Sequence, residues 1–380
     1  MWKIKYFYDR QYVGDLYPIC NNGFGYGIER NSVRNIGFSL SLRRLASWCD
    51  TLNFDIRRMF TPLRSSIKIV QVITGVEYDI QGGFLGSTPP FTFGSLSDAT
   101  VQFEYVGWLG MTAGAYLIPP YSYNQPFDLV AKTAIETIVA RTLSAGRQWP
   151  ITVGTSDTLA TVEGSLEAPK TLKDFLLERS DNTTGTGNYD VYADPDGKIT
   201  LYTRYGLDVS DTTTFAYPDK GGKYDLKSLD FEAWQNYISN IFLTGAGNGY
   251  ASTSGLEGAA LFSTAQNDDT IDNIGYWQHA VSESDISIQA TLDEKATSYV
   301  KDTDKPFVTP SITIDADRYK LFARELGGEL WLGDLVSVDV SDWVRPLLPI
   351  ELPIVLRINS IDVKVDGLGH SEAVLGMANG

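Results

Sequence analysis

Cysteine and histidine are scarce in this chain, whose 380 residues hold only two of each. No CxxC motif occurs, and His279 and His370 lie far apart in sequence without clustered ligands, so a zinc site is not expected. His279 follows Tyr276-Trp-Gln, aromatic company that predicts a packed histidine. The simplest interpretation of Cys20 and Cys49 is two buried thiols, with a disulfide between them as the open alternative.

Long apolar runs are also missing, since no stretch approaches the roughly 20 residues that a membrane-spanning helix needs. The first nine residues, Met1 to Asp9, have the pattern of a strand and not of a signal peptide. We therefore expect a chain without a membrane segment that is made and folded in a cytoplasm. Its length suits two to four domains.

Catalytic motifs are equally absent. The chain has no GxSxG, and its 47 acidic residues include no flagged pair of the kind used for glycoside hydrolysis. Gly245 to Gly249 lacks the helix that a dinucleotide loop opens, and Asp268, Asp269 and Asp272 lack the glycine and glutamate of a calcium loop. Trp108 is interpreted as a core anchor. We expect no catalytic residue, cofactor or metal, and no enzyme.

Negative charge dominates the sequence, which has a formal net charge of -16. An acidic protein repels nucleic acid, so specific DNA binding is not expected. Against this background, residues 30 to 68 hold eight cations: Arg30, Arg34, Arg43, Arg44, Arg57, Arg58, Arg64 and Lys68. Two interpretations remain open: an interface for an acidic neighbour or another copy, centred on Arg43, Arg44, Arg57 and Arg58, or a strand pair with solvated arginines.

The clearest structural pattern lies near the C-terminus. Leu332-Gly333-Asp334 predicts a tight turn in which Gly333 takes a positive φ. Residues 335–342 and 354–365 then alternate with a period of two, as strands with one buried face do. Two such strands joined around prolines predict a small antiparallel barrel.

The whole pattern predicts a mainly β fold with an α+β insertion: two small β-barrel domains, an α/β domain and a connecting region. The bounds are 1–110 for the first barrel, 111–207 for the insertion, 208–305 for the connecting region and 306–380 for the second barrel. One short helix is expected over 45–60. In the insertion, one helix runs from Asn124 to Ala145-Gly146, a second begins at Thr171, and Asp194-Pro-Asp-Gly197 is a hairpin turn.

The order of several short motifs resembles a known family. Val106-Gly-Trp-Leu-Gly110 precedes the proline-started helix and the Asp194–Gly197 hairpin, and the segment from Ile238 to Gly249 and then Leu332-Gly-Asp-Leu-Val-Ser-Val338 follow. This order resembles the baseplate hub, or tail-associated, proteins of tailed bacteriophages and related injection machines, over nearly the whole chain.

The resemblance implies a structural protein of the virion, at the phage tail tip. Its fold would be a trimeric ring with two barrels per chain, which closes or extends the tail tube. The ring would join a distal tail ring or tube proteins to a spike, fibre or receptor-binding apparatus, and DNA would pass through it unbound. The sequence ends at the second barrel, so lytic activity is not expected. The alternatives are a carbohydrate- or receptor-binding adhesin and, after it, a glycoside hydrolase.

Overall fold

The structure is a computed structural model. It describes residues 1–92, 99–119, 121–141, 149–166, 168–177, 180, 189–217, 226–230, 233–234, 238–245, 261–283, 289–300, 307–308, 310–323, 327–340, 345 and 353–379. No helix among these residues is both long enough and apolar enough to span a membrane.

Strands outnumber helices, which confirms the predicted mainly β fold with an α+β insertion. The strands are β1 (Trp2–Tyr8), β2 (Gln11–Asp15), β3 (Cys20–Glu29), β4 (Asn35–Ser41), β5 (Ser65–Ile73), β6 (Val76–Leu85), β7 (Phe91–Thr92), β8 (Thr100–Gly107), β9 (Tyr116–Leu117), β10 (Tyr121–Pro126), β11 (Thr152–Val153), β12 (Thr161–Leu166), β13 (Lys170–Thr171), β14 (Asp190–Ala193), β15 (Lys198–Tyr202), β16 (Thr214–Tyr217), β17 (Ser228–Asp230), β18 (Ala233–Trp234), β19 (Asn240–Thr244), β20 (Phe262–Gln266), β21 (Gln278–Ser282), β22 (Phe307–Val308), β23 (Ser311–Asp315), β24 (Leu335–Val340), β25 (Ile354–Val365) and β26 (Ser371–Asn379). The helices are α1 (Leu42–Thr51), α2 (Phe127–Val139), α3 (Leu172–Leu177), α4 (Asp268–Ile274) and α5 (Gln289–Val300).

One 14-stranded sheet joins the two ends of the chain. Its main path is β17-β23-β26-β25-β3-β4-β8-β6-β5-β1-β2, with β7, β16 and β24 paired alongside. The link is antiparallel pairing of Ser360 to Val365 in β25 with Glu29 to Phe24 in β3. One hydrophobic core accordingly contains residues of both predicted barrels. The domain bounds remain predictions, but the strands assigned to the two barrels are hydrogen-bonded neighbours.

The segment between 42 and 60 differs from the single helix expected there. Helix α1 ends at Thr51, and a separate 3-10 helix covers Ile56–Phe60. Between them Asn53 has a φ of 51°, a left-handed conformation that Asn tolerates better than most residues and that ends an α-helix.

The insertion packs its helices around a second core. In that core the buried side chains of Phe127 and Ile135 from α2 join Phe175 from α3 and Trp108, which confirms Trp108 as a core residue. Helix α3 begins as predicted, because the backbone N–H of Asp174 donates to Oγ1 of Thr171 at 3.0 Å. Helix α2 ends at Val139, before the predicted stop at 145–146, which lies outside the described residues.

A separate three-stranded sheet has the order β20-β19-β21, and α5 covers one of its faces. Ile241 and Leu243 of β19 are fully buried against Leu292 and Ala296 of α5. Packing against this apolar sheet face stabilises α5.

Candidate functional site

The turn at Gly333 and Asp334 lies at a buried junction between the insertion and the large sheet. Gly333 has a φ of 84°, as predicted, and its N–H donates to the carbonyl of Ile358 in β25 at 2.7 Å. The Asp334 side chain is fully buried and accepts from the N–H groups of Trp331 at 2.8 Å and Leu207 at 2.9 Å. The carboxylate thus closes its own turn and binds the chain that leaves the insertion.

Two glycines allow the two backbones to touch here. A Cβ placed on Gly333 would lie 2.1 Å from the carbonyl oxygen of Tyr205. A Cβ on Gly206, whose φ is 91°, would lie 2.1 Å from the carbonyl carbon of Gly333. Each position therefore requires glycine for two independent reasons, the positive φ and the missing space.

A buried ion cluster completes the junction. The Asp190 carboxylate, 4% exposed, pairs with Arg357 of β25 at 2.7 Å and with Arg30 at the end of β3. It also accepts from the N–H of Tyr205 at 2.8 Å. Arg357 further donates to the carbonyls of Tyr205 at 2.7 Å and Gly333 at 3.2 Å. The cluster thereby ties β14 of the insertion to β3 and β25.

Charge in this cluster is unbalanced, with two guanidinium groups against one carboxylate. Burial lowers the pKa of Arg357, while Asp190 raises it and Arg30 lowers it further. A buried carboxylate fully engaged with two arginines is not available as a general acid or base. The arrangement is suited to holding segments in register and not to catalysis.

The sequence predicted the Gly333–Asp334 turn but did not single out Asp190 or Arg357, and it grouped Arg30 with the cationic stretch and not with this cluster. The one available signal was a charge inside an otherwise apolar strand, as at Leu356-Arg357-Ile358. That signal marks a buried or paired charge, but it does not name a partner that lies 167 residues away.

The cationic surface predicted over 30–68 is largely neutralised within the chain. Five of its eight cations form ion pairs: Arg30 with Asp190, Arg34 with Glu29, Arg57 with Asp55, Arg64 with Asp9 and Lys68 with Asp79 and Asp196. Within the described part of the chain, no ion pair forms at Arg43, Arg44 or Arg58. These three are the cations left for a partner.

Arg43 and Arg44 lie in the first turn of α1, on its exposed side, whereas Leu45 and Cys49 are buried. Arg58 is exposed and lies over the aromatic rings of Tyr8 at 5.4 Å and Phe54 at 6.0 Å. Arg57 is 87% exposed, and its pairing with Asp55 lowers the pKa of that carboxyl group. An interface at these residues remains a prediction.

The residues considered for other chemistry are dispersed. His279 is exposed on β21, the edge strand of its sheet, so the expected packed histidine is wrong. Both cysteines are free and buried, as interpreted. Over the described ranges, no group of three or more His, Cys, Asp or Glu side chains is arranged to hold a metal.

Comparison with known proteins gives matches among solved structures alone. No family model and no curated protein matches the chain. The tail protein from Neisseria meningitidis MC58 has a TM-score of 0.63 and 14% identity, over 100% of this chain and 96% of that one. The 43 kDa tail protein of prophage MuSo2 from Shewanella oneidensis has a TM-score of 0.58 and 12% identity, over 99% and 98%.

A third structure, prophage tail protein gp18 from Listeria monocytogenes, has a TM-score of 0.57 and 12% identity, over 98% of this chain and 94% of that one. All three correspondences extend over nearly the full length of both chains, so they include the large sheet, the insertion and the small sheet together. The chain therefore has the fold of phage tail proteins, which confirms the resemblance found in its sequence.

Proposed function

We propose that this chain is a structural component of a bacteriophage tail tip, a baseplate hub that forms a trimeric ring. The observation that supports it is the full-length correspondence with prophage tail proteins, which covers 99% of this chain and 98% of the MuSo2 protein.

The ring would close or extend the tail tube and adapt it to a spike, fibre or receptor-binding apparatus. DNA would pass through during ejection without being bound. The net charge of -16 fits this role, because an acidic channel repels the phosphate backbone.

Its partners would be two further copies of the same chain, distal tail ring or tube proteins on one side, and receptor-binding or baseplate proteins on the other. Arg43, Arg44 and Arg58 are the candidate contacts, because unpaired cations on an acidic chain are best accommodated against an acidic surface. The protein would be assembled in the host cytoplasm and act in the virion.

Hydrolytic activity is not part of the proposed function. The buried carboxylate of Asp190 pairs with two arginines. Glu77 pairs with Lys3 at 2.5 Å and with Lys5 at 2.6 Å. The ion pairs described above therefore support structural roles for these acids.

The experiment is the solution mass of the purified chain by sedimentation velocity across a range of concentrations. We expect a species of three times the 42.0 kDa chain mass, with the monomer in equilibrium at low concentration. A monomer at every concentration, or a dimer, would contradict the trimeric ring.

A further inference from the structure

The small sheet β20-β19-β21 has one face that α5 does not cover. Its covered face holds Ile241 and Leu243 of β19, with Ala265 and Val281 beside them on the neighbouring strands. Because side chains alternate along a strand, the residues between these point to the opposite face.

The open face contains no charged residue. The registers of β19 with both neighbours place three rows of three on it, and its nine residues are Gln266, Asn240, Gln278, Thr264, Phe242, Ala280, Phe262, Thr244 and Ser282. In a chain with 21% charged residues, this face holds amides, hydroxyls and two phenylalanines instead. A partner that it recognises is therefore uncharged.

Its two phenylalanines form a platform. The rings of Phe242 and Phe262 stack with centroids 6.2 Å apart and an interplanar angle of 25°. Phe262 is nevertheless 50% exposed, although burial of such a ring stabilises a fold by about 2 kcal/mol. A stacked, half-exposed aromatic pair presents a flat apolar surface to a ligand.

An unsatisfied acceptor lies in the row at the end of this platform. Asn240 is flanked in register by Gln266 and Gln278, so three amide side chains cross the sheet side by side. The side-chain oxygen of Asn240 is buried and has no hydrogen-bond partner. A buried amide oxygen without a partner costs about 1–3 kcal/mol, whereas the amides of Gln266 and Gln278 on either side of it are exposed to a ligand.

Two further aromatic residues precede β21, and the backbone of the second is hydrogen-bonded to Ser239. Trp277 donates its N–H to Oγ of Ser239 at 2.7 Å, and its carbonyl accepts from the N–H of Ser239 at 3.0 Å. The side chains of Tyr276 and Trp277 are nonetheless 69% and 64% exposed. The hydrogen-bonded main chain at Trp277 holds its exposed ring ready to contact a ligand, since little conformational entropy is lost on binding.

We propose that this open face binds a neutral saccharide, a function beyond that of a tail-tip ring component. The C–H groups on one side of a pyranose ring carry partial positive charge and stack on the negative face of Phe262. The exposed amides of Gln266 and Gln278 exchange hydrogen bonds with its hydroxyls, and the Gln266 amide also donates to Asp268 at 2.8 Å. The missing charge disfavours nucleic acid, anionic lipid and acidic glycans.

The test is binding of the full-length protein to an array of neutral and acidic bacterial glycans, followed by titration of the hits with saturation-transfer NMR. We expect saturable binding of neutral glycans. Phe262→Ala, at a half-exposed site, should weaken it about tenfold or more, and Gln278→Ala should weaken it in the same direction. Tyr12→Ala, which removes a 56% exposed aromatic ring from β2, is the matched control and should bind like the parent.

Circular dichroism and sedimentation of each variant separate lost binding from lost folding or assembly. Absence of neutral hits, a preference for acidic glycans, or equal affinity of the parent and both folded variants of the face would overturn the proposal. None of these results depends on the oligomeric state, so the saccharide site and the ring fail or succeed separately.

Discussion

At the scale of single residues, Gly333 is required both by its close contact with the Tyr205 carbonyl and by its positive φ. Gly333→Ala should destabilise the fold by about 3 kcal/mol or more, because the new Cβ meets the Tyr205 carbonyl in addition to the strained φ. Gly75→Ala is the matched control, since Gly75 has nearly the same φ, 83°, with nothing within 4 Å of an added Cβ.

Chemical denaturation of both variants measures the difference in free energy of unfolding. The control should lose about 1 kcal/mol from backbone strain alone. Equal losses in the two variants would show that the contact between the 205–207 and 333–334 backbones does not matter for stability.

A second prediction concerns the buried carboxylate at the junction. Asp190→Asn leaves the partly buried guanidinium groups of Arg30 and Arg357 without a counter-charge, so we expect a loss of about 3 kcal/mol in the free energy of unfolding. Asp196→Asn is the control: this 73% exposed carboxylate pairs with Lys68 and should cost less than about 1 kcal/mol. A small effect at Asp190 would mean that the cluster does not hold the insertion to the sheet.

The thiols provide a pH-dependent prediction. Burial raises the pKa of Cys20 to about 12 and of Cys49 to about 11, from a usual value of 9.0. Since the thiolate is the reactive form, a disulfide reagent at pH 8 should label neither in the native protein and both after unfolding.

The same shifts predict alkaline destabilisation. Below pH 9 the thiols of Cys20 and Cys49 keep their protons in the folded and in the unfolded chain, so their contribution to the free energy of unfolding does not change with pH. Between pH 9 and 12 the unfolded chain loses them while the folded chain retains them, so stability falls. Replacing both cysteines with alanine should remove that part of the pH dependence, and rapid native labelling at pH 8 would refute the burial.

At the same scale, sequence reasoning succeeded where a single residue has a local signal. Gly333 was predicted because a Leu-Gly-Asp turn opens an alternating strand, and the capping role of Thr171 was predicted from its spacing to Asp174. The Asp190–Arg357 pair was not, because its partners meet only through the tertiary fold, and Gly206 was missed because close approach of two backbones leaves no pattern in either segment.

At the element scale, helix α1 carries Arg43 and Arg44, two of the three cations that form no ion pair within the described residues. The double variant Arg43→Glu with Arg44→Glu should weaken assembly in a salt-sensitive way while the monomer stays folded, because exposed charges steer association and are screened by salt. Sedimentation at low and high salt measures the effect.

The double variant at Arg57 and Arg58 should act in the same direction but less strongly, since Asp55 already neutralises Arg57. The control is Lys132→Glu on α2, a 56% exposed cation of the insertion. Complete assembly of both double variants at low and high salt would contradict an interface at this surface.

Elements themselves were predicted well where periodicity is strong, as in α2, β24 and β25. The 45–60 helix was wrong in extent because the left-handed Asn53 ends it, a conformation that the apolar spacing of Leu45, Trp48 and Leu52 does not reveal. The pairing of β25 with β3 was also beyond the sequence, since alternating strands indicate a buried face but not the neighbour across a long separation.

At the scale of the whole molecule, the fold places both ends of the chain in one sheet, and the insertion is fixed to that sheet by the junction around Asp190 and Asp334. These contacts hold the insertion to the sheet, as the proposed ring component requires. The order of short motifs predicted the family fold, whereas the oligomeric state depends on surfaces that one chain does not define.

The most direct measurement is electron microscopy of phage particles that carry an affinity tag at the C-terminus of this chain, visualised with a gold label. A tail-tip hub predicts label at the distal end of the tail and up to three labels on each particle. Label along the tail tube, on the capsid, or only on unassembled protein would contradict the account.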